Sequence, residues 1–164
     1  MIGSVELRRA RYDEPEATRL TLAAQGYYAS IYGGEDTSPI DADEFAPPGG
    51  GFLIGHLDGR AVAMGGWHFL GGTPPVPAER AAEVRRMYVD PQVRRRGVAQ
   101  ALLLALEEDA GRAGADLMVL ETGRPQTEAL TFYRSCGYVD VPAFGYYADA
   151  PLSVSLGKRL PPAR

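Results

Sequence analysis

Apolar side chains recur at every fourth position from Val98 through Leu102 and Leu106 to Ala110. That spacing predicts an amphipathic helix with one buried stripe. Just before it, residues 84–89 are dense in β-forming side chains and predict a strand. Asp90-Pro91 closes that strand, because proline has no N–H for a central ladder. After the helix, Gly111 and Gly114 interrupt the pattern, and 117–120 follows as an unbroken apolar run. Such a run marks a strand buried on both faces. Strand, helix and strand in this order predict a right-handed parallel crossover.

Outside this unit the pattern shifts toward alternation. Residues 5–9 alternate and predict a first strand. Asp13 reads as a helix N-cap, with Pro15 and Glu16 in the first turn. The helix is expected to run to about Tyr28, to bury Leu20, Ala23, Ala24 and Tyr27, and to stop at Gly33-Gly34. Residues 35–51 are irregular and acidic, with one helical turn expected at 41–45. A hairpin follows, 52–57 and 61–69, joined by the tight-turn pair Asp58-Gly59. Residues 71–77 form a Gly/Pro loop. Pro125 opens a further helix over 126–136, ended by Gly137. Strands are expected at 138–141 and 152–160, separated by an aromatic loop at 144–149, with a frayed tail at 161–164. Hairpins on either side of a parallel pair predict a mixed sheet in an α/β domain.

Composition narrows the function. The 164 residues have the length of one domain able to bury a core. A net charge of −4 lacks the electrostatic footprint of a nucleic-acid or membrane-surface binder, so neither partner is expected. The single cysteine, Cys136, leaves no internal disulfide. The first residues, MIGSVELRRA, show no apolar leader pattern, and no apolar run reaches membrane-spanning length. A cytoplasmic protein is expected.

Against that mildly acidic background, Arg94, Arg95 and Arg96 stand together where the central helix begins. A helix N-terminus already carries partial positive charge, so three cations there are unfavourable unless an anion joins them. A glycine-containing turn leading into a helix is suited to a phosphate or pyrophosphate. The run Arg94, Gly97, Ala99 resembles the acetyl-CoA signature Arg/Gln-x-x-Gly-x-Gly/Ala of the GCN5-related N-acetyltransferases. Residues 129–138, ALTFYRSCGY, are similar to that family's Ala-x-x-Leu/Phe-Tyr-x-x-x-Gly-Phe/Tyr block.

The resemblance implies a mixed, mostly antiparallel central sheet with helices on both faces and a β-α-β acetyl-CoA-binding core. It implies that Arg94, Arg95, Arg96, Gly97, Val98 and Ala99 grip the coenzyme pyrophosphate. The backbone of Met87, Tyr88 and Val89 then lines the pantetheine arm, where two parallel strands splay. It implies an N-acetyltransferase that uses acetyl-CoA and no metal, on a primary amine of a small molecule or amino acid, by direct attack in a ternary complex. A protein acetyltransferase and a non-catalytic acyl-CoA-binding domain are the alternatives, and a homodimer is open to the chain. Tyr133 takes the role of proton donor to the leaving thiolate. Glu83, eleven positions before Arg94, takes that of general base. It shares strand parity with Arg85 and Met87. Glu121 is the rival base, and a water chain the third possibility. The acceptor pocket is expected to be walled by Tyr27, Tyr28, Tyr32, Glu35, Asp36, Phe45, Tyr146 and Tyr147, an acidic and aromatic set that suits a cation. His56 and His68 lack metal-ligand spacing and read as structural. Trp67 reads as core, and Cys136 has no nucleophile context.

Overall fold

The computed structural model describes residues 4–162. In chain order the elements are β1 (Glu6–Arg9), α1 (Pro15–Tyr32), a 3₁₀ turn (Ala42–Phe45), β2 (Gly50–Leu57), β3 (Arg60–Phe69) and β4 (Ala81–Val89). A second 3₁₀ turn (Pro91–Val93), α2 (Val98–Arg112), β5 (Leu117–Gly123), α3 (Thr127–Ser135), β6 (Val139–Asp140) and β7 (Ser153–Arg159) follow. The seven strands form one sheet in the order β1-β2-β3-β4-β5-β7-β6. Among the described strands only β4 and β5 pair in parallel; every other neighbour is antiparallel. This is the mixed, mostly antiparallel sheet expected.

Each face of the sheet is covered because each helix has one apolar stripe. Val98, Leu102, Leu106 and Ala110 of α2 are at most 2% exposed and pack with Leu53, Val62, Trp67 and Val84. Leu130, Phe132 and Tyr133 of α3 join that same cluster. On the opposite face Ala17, Leu20 and Ala24 of α1 pack on Phe52, Ile54 and Met64. Trp67 is core as expected, and its indole N–H donates to Asp109 Oδ2 of α2 at 2.8 Å.

Several boundaries differ from expectation, each for a physical reason. The N-cap of α1 is Glu14, not Asp13, whose carboxylate is held by Arg11 Nε at 3.0 Å. The helix runs on to Tyr32, where Gly33 takes φ 75° and its N–H caps Ala29 O at 2.9 Å. Its buried stripe starts at Ala17, and Ala23 is exposed. Strand β4 begins at Ala81 because pairing with β3 and β5 overrides the weak β-propensity of two alanines and a glutamate. Strand β5 extends to Gly123 on its ladder with β7. The expected frayed tail falls partly on Ala163 and Arg164, which lie outside the described residues.

Candidate active site

Strands β4 and β5 run side by side only from Ala81/Leu117 to Glu83/Val119. Beyond that point they diverge, and a cleft of about 730 Å³ opens between them. A β-bulge drives the divergence. The β3–β4 register passes from Gly66↔Arg85 to Met64↔Tyr88, so Gly65 faces both Arg86 and Met87. Arg86 takes φ 57°, a left-handed conformation that costs a non-glycine residue about 1–2 kcal/mol. The inserted residue also resets parity. Glu83 and Arg85 face the α1 side, whereas Met87 packs into the α2 cluster, so the expected shared face of Glu83 and Met87 is overturned. Past the bulge, the Asp90 N–H bonds Val62 O of β3 at 2.8 Å. Alternation therefore turns the backbone groups of Val89 and Met87 toward the open edge.

The cleft ends at the start of α2. Gly97 is the N-cap at φ 77°, with no side-chain cap. The first α2 turn leaves its leading N–H groups without helical acceptors, and Gly97, Val98, Ala99 and Gln100 line the cleft. A Cβ on Gly97 meets open space, so its glycine is required by the backbone angle and not by crowding. Arg95 is also left-handed, at φ 65°. Arg94 and Arg95 line the cleft; Arg96 does not. The Arg94 guanidinium lies 3.7 Å from Glu128 and 5.4 Å from the centre of the Tyr27 ring. Uncapped amides, two arginines and an elongated gap fit a diphosphate with an extended arm.

At the other end, polar and charged side chains converge from five separate segments. Glu83 is 12% exposed, and its Oε1 lies 3.0 Å from His68 Nε2. Glu121, on the diverging end of β5, accepts the Tyr147 N–H at 3.0 Å. Burial, then the nearby charge of Glu83, pushes the Glu121 carboxyl up to about 7. The Arg86 side chain is 7% exposed and pairs with Asp36 Oδ2 at 2.8 Å. Burial works to raise Asp36, but hydrogen bonds from Tyr147 and Ser38 and the Arg86 charge outweigh it and hold Asp36 below the usual carboxylate range. Arg85 reaches Pro39 O at 2.8 Å and Ser38 Oγ at 2.7 Å. The Tyr147 hydroxyl donates to Asp36, and the Thr37 N–H donates to that same hydroxyl at 3.0 Å. The loop after α1 and the loop before β7 are thereby tied together across the cleft.

Tyr133 lies half-buried on α3 in the cleft wall, its ring edge-on to Tyr138 at 5.8 Å. Burial, then Tyr28, raises its phenol above the ordinary value, so it is protonated at neutral pH. Tyr28, itself raised to about 12 by burial and Asp36, stands nearby.

Of the expected acceptor wall, Tyr27, Tyr28, Asp36, Tyr146 and Tyr147 line the cleft. Tyr32, Glu35 and Phe45 do not: Tyr32 is outside against Gln126, and Phe45 is buried under α1. His56 bonds Glu16 of α1 at 3.0 Å. His68, read from sequence as structural, sits directly behind Glu83. Arg85 and Arg86, which line the cleft, were not among the expected site residues; two adjacent arginines inside a strand were the available signal.

Comparisons with known proteins agree with this geometry. The sequence model of the Acetyltransferase (GNAT) family matches residues 16–138. An IAA acetyltransferase of Azospirillum brasilense is 31% identical over 135 residues, which are 82% of this chain and 84% of that protein. N-acetylaspartate synthetase of Rattus norvegicus is 28% identical over 76% of this chain and 40% of its own length. Among solved structures, a protein assigned as an acyl-CoA N-acyltransferase from Klebsiella pneumoniae superposes with a TM-score of 0.76 at 27% identity, covering 95% of this chain and 97% of that one. The chain belongs to the acetyltransferase (GNAT) family, whose members are acyl-CoA-dependent N-acetyltransferases.

Proposed function

We propose that the protein acetylates a primary amine of a small molecule or amino acid, with acetyl-CoA as donor and with both substrates bound together. One observation carries the reading: the β4–β5 gap runs from an uncapped helix N-terminus to a pair of carboxyls, with a protonated tyrosine on its wall. The α2 amides of Val98, Ala99 and Gln100, with Arg94 and Arg95, would hold the diphosphate. The open backbone edge at Met87 and Val89, past Tyr88, would take the arm. Arg96, outside the cleft, adds charge at longer range.

The chemistry then follows from the groups in place. The acceptor enters as an ammonium among Glu83, Glu121 and tyrosine rings. Glu83 removes its proton, and the free amine attacks the thioester carbonyl. A backbone N–H of the 87–89 segment is the donor for the developing oxyanion. The C–S bond breaks, the Tyr133 hydroxyl protonates the departing thiolate, and the second proton that the nitrogen sheds as it becomes an amide restores the phenol. Glu121, half-ionised near neutral pH, is the second carboxyl able to take the amine proton. Holding both substrates in one cleft supplies much of the rate. The tie between Asp36, Thr37 and Tyr147 roofs the acceptor side, which favours a small acceptor over an extended protein segment. No described helix is long and apolar enough to cross a membrane, and a cytoplasmic setting fits the use of acetyl-CoA.

Thiol release from acetyl-CoA against a panel of small amines, amino acids and lysine peptides tests the reading. Turnover on a small amine with little on the peptides is expected. Peptide-only turnover transfers the assignment to protein acetylation, and coenzyme binding without any turnover transfers it to a binding domain.

A further inference from the structure

We propose that His68 is the outlet for the proton that Glu83 takes from the acceptor amine; this rests on the reading of Glu83 as base. The two residues are direct cross-strand partners on β3 and β4, with Nε2 and Oε1 3.0 Å apart. Glu83 lines the cleft and His68 does not. His68 nevertheless keeps 19% of its side chain exposed. The pair therefore joins a carboxyl that lines the cleft to an imidazole that meets solvent without lining it. The Phe45 ring, 2% exposed, stands edge-on to the imidazole at 6.2 Å.

The choice of partner is informative. A carboxylate this buried needs a hydrogen-bonding companion, and among the described residues the side-chain partner of Glu83 is a histidine. The other charged groups facing it are Arg85 on its own strand, occupied by Ser38, Pro39 and Glu44, and Glu121 from β5. An arginine in the place of His68 would hold Glu83 ionised but could never accept its proton. An imidazole can do both. The cycle balances. The ammonium gives one proton to the Glu83 carboxylate and becomes the attacking amine. Glu83 passes that proton to His68 Nε2 and is again a carboxylate. Nε2 accepts as the free nitrogen of the Nδ1–H tautomer, the imidazolium releases its Nδ1 proton to solvent, and exchange with solvent returns the ring to that tautomer.

The test uses the panel amine with the highest turnover as acceptor, saturating acetyl-CoA and low buffer concentration. Glu83→Gln should lower kcat by about a hundredfold. His68→Gln, which keeps a hydrogen bond to Glu83 but cannot carry the proton, should lower kcat by about tenfold. Its KM for the amine and its affinity for coenzyme A should match the parent. His68→Ala should be equally slow, and added imidazole should restore its rate with saturation. A purely structural His68 would show no such rescue. Parent-like kcat in His68→Gln, or indifference of His68→Ala to imidazole, overturns the outlet. Parent-like kcat in Glu83→Gln overturns the base assignment instead, and a parent inert on every amine overturns acetyl transfer itself. Should His68→Gln fail to fold by thermal melt, His68→Asn serves, since its amide offers the same donor on a shorter stem.

Discussion

The two ends of the cleft are built on opposite plans. The α2 end is backbone: a left-handed glycine, uncapped amides and arginines whose guanidiniums reach solvent. All of it comes from one continuous run of chain. The acceptor end is side chain. Asp36, Arg86, Glu83, His68, Glu121 and Tyr147 come from five separate segments, and most are paired with one another. A backbone site of this kind suits a ligand feature common to many enzymes, such as a diphosphate. A side-chain site can be rewired residue by residue, which suits the selection of a particular acceptor under the proposed function. Misplacing one residue in it also leaves a buried charge alone, so it is the less tolerant half.

The largest effect should come from breaking the acceptor end. Asp36→Ala leaves the Arg86 guanidinium, 7% exposed, without its counter-ion. Removing one partner of a buried pair costs about 3–5 kcal/mol, so urea unfolding should move by that much. Adding Arg86→Met should recover part of the loss. A change below about 1 kcal/mol in the single variant, within the range of exposed pairs, would mean that solvent reaches the pair and that the acceptor end is no less tolerant than the α2 end.

Next comes Tyr133→Phe. It keeps the ring packing on Tyr138 and removes only the hydroxyl. We expect kcat to fall about a hundredfold with coenzyme affinity unchanged. Equal turnover in stopped assays of parent and variant removes the proton-donor role.

Arg94→Ala probes the backbone end. The guanidinium is partly committed to Glu128 and Tyr27, so the loss should be modest, about 1–2 kcal/mol or roughly five- to thirtyfold in the dissociation constant for coenzyme A. Calorimetry that finds no change leaves the amides as the sole anchor and sharpens the distinction between the two ends.

The remaining effect is on pH. The folded-state carboxyl of Glu121 lies near 7, above its ordinary value, so the fold favours the protonated form. The stability tied to that proton is complete at low pH. It is lost as pH rises from the ordinary carboxyl range through about 7. Glu121→Gln, which cannot ionise, should raise Tm relative to the parent at pH 8 and leave it near parental at pH 4. An equal offset at both pH values would separate the effect from titration.

The α2 end was legible because its signals are local. Arginines at a helix start, Gly97 and the Val98–Ala110 stripe are each readable within one turn or two; Glu83 was named through the family resemblance and Glu121 from its place at the end of a strand. His68 was not legible as a site residue. Nothing near it in the chain announces Glu83, fifteen residues away; only the β3–β4 register brings them opposite. Asp36 was expected in the acceptor wall for its charge, but its partner Arg86 was hidden. An alternating strand pattern would turn Arg86 to the α2 face, and the inserted bulge residue reverses that.

The amino-acid pattern alone therefore determined the order of the elements, the crossover and the glycine turn at the start of α2, since hydrophobic period, glycine and local charge act over a few residues. Tertiary structure decided where β4 and β5 part, which carboxyl meets which cation, and what stands behind Glu83. Those depend on strand register and on contacts between distant segments, whose geometry is set by packing of the whole sheet and not by any one stretch of chain.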